Sequence, residues 1–394
     1  MAGRRGRRTM MTIDSRPGPM IKRGAMAPYT KPTLVLDEGR ARRNIERMTA
    51  RAAGFGVRFR PHFKTHQSRH IGRIFREFGI EAITVSSVSM ASYFAADGWT
   101  DILIAFPFNI LEAAEIGRLS SACSLGLLAE SPAGLAALAR RVSAPADIWI
   151  KINVGANRAG ADWNDTALLA RICRETIRHG SLRLRGLLTH NGRTYGARSH
   201  DALVRVHADA MRKMLRAQKD LARAGFPDLE ISVGDTPSSS RLDDFEGADE
   251  IRPGNFVLND ATQLELETCG EEDVAAAVAC PVVSMHPARN EAVIYGGAIH
   301  LSKDDVLTRR DGRIYGRVCR RRGPGWGRIV PGSVVSSLSQ EHGIVRMPAA
   351  EIKKLKAGDV LFVLPAHSCL TVDLFREFIG LDGQRIPTIR SCDF

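Results

Sequence analysis

Between residues 33 and 252 the chain alternates short apolar, β-branched runs with longer amphipathic stretches. The runs Thr33–Leu36, Val57–Arg60, Ala82–Ser86, Ile102–Phe106, Ser124–Leu128, Ile148–Asn153, Leu184–Thr189, Leu229–Val233 and Glu250–Arg252 are predicted strands. Between them, Glu38–Ala53, Arg69–Phe78, Met90–Asp97, Leu111–Leu119, Pro132–Val142, Asp165–His179 and Asp201–Ala224 carry apolar residues at helical spacing. Strands alternating with helices predict an α/β fold with a parallel sheet and right-handed crossovers. The span suits a (β/α)8 TIM barrel of roughly 250 residues. Nine strands are one too many for it, and Thr33–Leu36 is the one expected to pair elsewhere.

After about residue 275 the pattern changes. Pro281–His286, Glu291–Tyr295, Ile314–Val318, Ile344–Met347, Val360–Leu364 and Thr371–Leu374 read as short strands between turns, with few helices. The expected organisation is a basic, disordered arm over 1–27, a barrel over 28–270 and a C-terminal β domain over 271–394.

Composition narrows the function classes. The 394 residues are 44% hydrophobic and 25% charged, ordinary for a globular protein. The formal charge of +13 invites a nucleic-acid reading. In the first 23 residues, however, Arg4, Arg5, Arg7, Arg8, Arg16, Lys22 and Arg23 face only Asp14, a local +6. No nucleic-acid reading motif stands outside that arm, so no nucleic acid is expected as a partner. No apolar run approaches the ~20 residues of a membrane span. The arm lacks the apolar core of a secretory signal. The seven cysteines are scattered without a C-x-x-C pair, which suits a reducing cytoplasm.

Candidate chemistry falls where barrel strands end. Pro61-His62-Phe63-Lys64-Thr65-His66 follows the first barrel strand, and a lysine there is placed for Schiff-base chemistry with a carbonyl. Gly234-Asp235-Thr236-Pro237 and Arg252-Pro253-Gly254-Asn255 close the last two strands, where backbone N–H groups and a Thr hydroxyl make an anion cradle. A Schiff-base lysine opposite a phosphate cradle points to pyridoxal phosphate. In the later region His367-Ser368-Cys369, read as an extended strand, would place imidazole and thiol on one face. That pair suits zinc or another borderline metal with open coordination positions.

These motifs, with Ser339-Gln340-Glu341-His342-Gly343, occur in the order found in the D-threonine aldolase and D-serine dehydratase family, which the chain resembles from about residue 28 to 380. The resemblance implies a barrel of the alanine-racemase N-terminal type (fold type III among pyridoxal phosphate enzymes) and a following β domain that the first strand joins. It implies a homodimer with the site at the subunit interface. Carried over residue by residue, Lys64 holds the cofactor and moves the α-proton. Gly234, Thr236, Gly254 and Asn255 bind phosphate, Arg158 lies near the cofactor's phenolic oxygen, and Tyr195 joins the cofactor-binding set. His190 faces the substrate hydroxyl as a candidate base, and His367 and Cys369 hold a divalent metal, zinc or manganese. Two positions depart from the family pattern: Phe256 replaces a Tyr, and Asn153 an Asp.

The expected activity is that of a lyase on a small β-hydroxy D-amino acid. Expelling the β-hydroxyl makes it a dehydratase, the reading favoured because the family's dehydratases pair His with Cys. Breaking Cα–Cβ makes it an aldolase. A racemase would need a second base such as Tyr295 or Tyr315 and would leave the metal pair without a purpose.

Overall fold

The computed structural model describes residues 29–392, so the expected basic arm lies outside the described residues. Ten strands precede residue 260: β1 (Thr33–Leu36), β2 (Arg58–Phe59), β3 (Ala82–Val85), β4 (Asp101–Pro107), β5 (Ser124–Ala129), β6 (Ala146–Asn153), β7 (Ala161–Asp162), β8 (Leu182–Leu188), β9 (Glu230–Val233) and β10 (Glu250–Ile251). Eight of them form a parallel sheet in the order β2-β10-β9-β8-β6-β5-β4-β3. The remaining gap is bridged where His62 pairs with Thr84. There the Phe63 N–H donates to Thr84 O (2.8 Å) and the Thr84 N–H to Pro61 O (2.9 Å). The sheet is therefore a nearly closed barrel.

Local chemistry starts the helices around it. Asp37, Ser87, Ser131, Asp165 and Ser199 each accept a hydrogen bond from a backbone N–H of the first turn they precede. Such caps are worth about 1 kcal/mol apiece. Inside the barrel, Leu103, Leu128, Trp149 and Leu188 make a small apolar plug. A polar relay also lies within. Arg252 Nε donates to Ser232 Oγ (2.7 Å), Ser232 Oγ to Glu250 (2.7 Å), and Arg60 Nε to the same carboxylate (2.7 Å). Burial pushes Glu250 up, but Arg60, Ser232 and Arg252 outweigh it and hold the carboxyl below its ordinary range.

The later strands are β11 (Ala276–His286), β12 (Glu291–Tyr295), β13 (Val306–Thr308), β14 (Gly312–Ile314), β15 (Gly316–Arg322), β16 (Gly325–Leu338), β17 (His342–Arg346), β18 (Val360–Pro365), β19 (Glu377–Gly380) and β20 (Arg385–Pro387). With β1 they build a second sheet in the order β12-β17-β16-β15-β18-β11-β1-β19-β20, while β13 and β14 pair separately. β1 lies antiparallel to β11 (Thr33 opposite Ala279) and parallel to β19 (Val35 opposite Ile379). The ninth strand of the sequence reading thus leaves the barrel for this sheet.

Two local expectations are corrected. Residues Thr371–Leu374 are not a strand: a helix spans Ser368–Asp373, with Ser368, Thr371 and Val372 buried at helical spacing. Burial of that face outweighs the β preference of Thr and Val. The fourteen-residue β16 was unforeseen because Pro331 and Gly332 interrupt its pattern. The strand takes them where its register with β15 shifts, with Gly332 at φ +68°.

Candidate active site

A cavity of about 260 Å³ opens at the carboxyl ends of the barrel strands and is roofed by the second sheet. Lys64, Arg158, His190, Tyr195, Gly234, Thr236, Gly254, Asn255, His367 and Cys369 all line it. His62, Lys151, Asp235 and Arg252 line it too, and none of these had been given a role. A larger and more open hollow of about 870 Å³, bounded by Gln67, Ser86, Asp373 and Arg390, holds none of the candidate residues.

Lys64 is held from below. The segment before it is clamped between β3 and β10: Arg60 N–H donates to Ile251 O and His62 N–H to Pro253 O, both at 3.0 Å. Phe63 is fully buried among Phe75, Phe94 and Trp99, with ring centroids 4.9–5.1 Å away. An aromatic anchor of this kind fixes the backbone from which Lys64 projects.

The two glycine turns face each other at van der Waals distance. A Cβ on Gly234 would come within 2.8 Å of the Arg252 backbone, and one on Gly254 within 2.8 Å of His62 O. Only glycine permits that approach. Around these turns the hydroxyls of Thr236 and Ser238 are buried without a hydrogen-bond partner. Asp235 caps the following turn by accepting from Ser238 N–H (2.7 Å). Unsatisfied buried hydroxyls beside close-packed turns are what a phosphate cradle offers. Arg252, fully buried, adds a cation even though burial lowers its pKa to about 10.

His190 donates from Nδ1 to Gly234 O (2.7 Å), which leaves Nε2 as the bare acceptor of a neutral ring. Burial, reinforced by Lys64, lowers its pKa to about 3. The Tyr195 hydroxyl is pushed well up by burial and by Asp235, so it stays a neutral donor. Lys151, projecting from β6, is lowered to about 7 by burial and by Arg252 and Arg158.

Arg158 sits on the loop after β6, and Asn153 organises that loop. Its Oδ1 accepts from Gly155 and Asn157 N–H, and its Nδ2 donates to Asn157 Oδ1 (3.0 Å) and Asp162 Oδ1 (2.8 Å). An aspartate could not make the last two bonds, so this departure has a local cause. Phe256, the other, is buried against Phe59 and Phe75 and does not line the cavity.

The opposite wall comes from the second sheet. His367 is the residue before the helix Ser368–Asp373, and Cys369 lies in its first turn. The two are thus not on one extended strand, yet both side chains line the one cavity. Asp304 accepts from His367 Nδ1 at 2.7 Å and turns Nε2 away from itself. Burial acts to raise the Cys369 thiol, but His367 and Lys64 outweigh it and hold the thiol below its usual value. Thiolate and imidazole together are a donor set for zinc-like ions. Among the described residues no group of three or more His, Cys, Asp or Glu side chains is arranged around a metal site, so this pair would leave positions open. Asp260 joins the two walls: fully buried, its Oδ2 accepts from Asn255 Nδ2 (2.6 Å) and Ser368 N–H (2.9 Å).

Comparison with known proteins follows the same division. The family "Alanine racemase, N-terminal domain" matches residues 36–260, and a serine dehydratase domain family matches residues 275–381. The chain is 34% identical to the D-threo-3-hydroxyaspartate dehydratase of Delftia sp. (strain HT23), over 90% of this chain and 95% of the relative. It is 28% identical to the D-serine dehydratase of Dictyostelium discoideum, over 91% and 95%. Among solved structures, a cysteine-to-alanine mutant of D-threo-3-hydroxyaspartate dehydratase, described as the metal-free form, superposes with a TM-score of 0.84 and 32% identity, covering 91% of this chain and 97% of that one.

Proposed function

The chain is a lyase of the family of D-serine and D-threo-3-hydroxyaspartate dehydratases, and from that premise we propose that it eliminates water from a small β-hydroxy D-amino acid, using pyridoxal phosphate and a divalent metal. The observation that carries the reading is the meeting of Lys64, the glycine cradle and the His367–Cys369 pair in one cavity. Lys64 would hold the cofactor covalently, with its phosphate on Gly234, Thr236, Gly254 and Asn255 and its phenolic oxygen near Arg158. The unpartnered Thr236 hydroxyl and the glycine turns fit that role. Bound there, pyridoxal phosphate supplies an electron sink that acidifies the substrate's Cα–H, and zinc or manganese on His367 and Cys369 polarises the β-hydroxyl.

The protein's own groups do the rest. Lys64 Nζ takes the α-proton from one side of the cavity. His367 and Cys369 orient the leaving hydroxyl on the other, with Asp304 holding the imidazole. In the elimination the α-proton and the β-hydroxide leave as water. Hydrolysis of the resulting enamine then releases ammonia and a 2-oxo acid.

One observation favours retro-aldol cleavage as a second reading. His190 presents a neutral Nε2 to the same cavity and could take the β-hydroxyl proton. The seven free cysteines suit a reducing cytoplasm, and a homodimer is the proposed assembly. Among the described residues no helix is long and apolar enough to cross a membrane.

D-threonine separates the two chemistries. With cofactor and manganese or zinc, 2-oxobutyrate plus ammonia supports elimination. Glycine plus acetaldehyde makes the enzyme an aldolase with His190 as its base. If neither pair of products forms, the function proposed here is overturned.

A further inference from the structure

Within the glycine cradle stands a carboxylate to which the proposed function gives no task. Asp235 lies between Gly234 and Thr236, is 4% exposed and lines the cavity. Its Oδ1 accepts from the Ser238 N–H at 2.7 Å, and its backbone carbonyl accepts from Ser239 Oγ at 2.8 Å. One N–H that the turn would offer to an anion is thus taken by the protein's own carboxylate. Beside it the fully buried hydroxyls of Thr236 and Ser238 have no partner. Unpartnered hydroxyls at a glycine turn call for an anion, and a second negative charge in the same turn opposes it.

The surrounding groups leave that conflict standing. Burial outweighs the bond from Ser238 and the charge of Arg252 beyond β10, and raises the Asp235 carboxyl to about 6. Lys64 and His62 beyond β2, Lys151 and Arg158 on β6 and its loop, and His190 and Tyr195 beyond β8 line the same cavity, with His367 and Cys369 on the opposite wall. Burial holds His62, His190 and Tyr195 neutral and lowers Lys151 to about 7. On the outer side of the turn, Pro237 borders a surface cleft with Arg198, His200, Arg241, Glu265 and Glu267.

We propose that Asp235 completes the cofactor's phosphate site as a neutral acid, taking up one proton when the phosphate enters and donating it in a hydrogen bond to a phosphate oxygen. This rests on the pyridoxal phosphate reading and deepens it. Two anions in one buried turn repel each other, and the proton removes one charge while turning an acceptor into a donor. Oδ1 keeps the Ser238 N–H, and the other oxygen carries the proton. A nearby phosphate raises the carboxyl further, so affinity is full below about pH 6 and declines as pH rises above it.

The test titrates the full chain, freed of cofactor, with pyridoxine 5'-phosphate, which lacks the aldehyde and cannot react with Lys64. Calorimetry in buffers of different ionisation enthalpy counts the protons. At pH 7.5 the parent should take up about one proton more per ligand than Asp235→Asn, whose amide keeps the bond from Ser238 N–H but does not ionise. The variant should bind about tenfold more tightly at pH 7.5, with the gap closing by pH 5.5. The phosphate's own ionisation is common to both proteins, and pyridoxine without phosphate should show no difference. If Asp235→Asn does not fold, Asp235→Ser supplies a cap of the same kind and the same comparison. Equal proton counts for parent and variant overturn the role of Asp235 and leave the cofactor reading intact. Failure of pyridoxine 5'-phosphate to bind the parent at either pH overturns both.

Discussion

The two walls of the cavity are built on opposite principles. The barrel wall is clamped by backbone pairing to the strands on either side of the segment that carries Lys64, and it is rich in basic groups: Lys151 and Arg252 buried, Lys64 half-buried and Arg158 exposed. The sheet wall is a single short segment, His367–Cys369, oriented by carboxylates, and its His367 and Asp304 side chains keep 37% and 46% exposure. One wall is suited to an anionic cofactor and the other to a cation, with Asp260 the strut between them. On the function proposed above, the barrel wall would hold the cofactor, and a few residues of the attached sheet would act at the β-carbon.

The sharpest way to break this comparison is at the barrel. Lys64→Ala should cost at least about 10³-fold in turnover and remove the borohydride-trapped cofactor, as read by mass spectrometry. An adduct on Lys151 instead would reassign the wall. On the other side, His367→Ala or Cys369→Ala should lose about 10²–10³-fold, the scale of Lewis-acid activation. The cofactor's absorption band should persist; its disappearance would mean that the walls are not separable. Asp304→Asn acts one step further out. It should weaken metal binding about 10–100-fold, measured by chelator competition, while cofactor affinity stays within error.

The smallest effect is on stability. Buried His66 and half-buried His207 are held neutral, with pKa values lowered by burial to about 3 and about 4. In the unfolded chain both titrate near 6.5. The unfolded state therefore binds more protons below that pH, and stability is present above it and lost as pH falls. At pH 5 each should cost about 2 kcal/mol relative to neutral pH. Denaturant midpoints at pH 7 and 5 for the parent and His207→Gln would show the share of His207.

How much of this was legible depends on distance along the chain. Lys64, the two glycine turns and His367-x-Cys369 stand in motifs of three to six consecutive residues, so the pattern exposed them, and all line the cavity. Lys151 had a local signal that went unread: it is the only charge in the run Ile148–Ile152 and projects from β6 into the cavity. Asp304 and Asp260 had none. Their partners His367 and Ser368 lie 63 and 108 residues away, and only the folded chain brings them together. The helix at Ser368–Asp373 was misread for a related reason, since its sequence favours a strand and its buried face becomes apparent only against Leu301, whose carbonyl accepts from Thr371.

Strand β1 carries a consequence for biogenesis. It is translated well before its partners, since Ala276–Ala279 and Ile379–Gly380 come only after the whole barrel sequence. Until then Leu34, Val35 and Leu36, all buried in the finished molecule, have no ladder to join. Strand β1 must therefore wait for both segments before its ladder can close. A chain cut near residue 270 would keep a bare, apolar strand edge, the feature that favours pairing with other molecules. The two halves are distinct in architecture but cannot be expressed apart without leaving that edge uncovered.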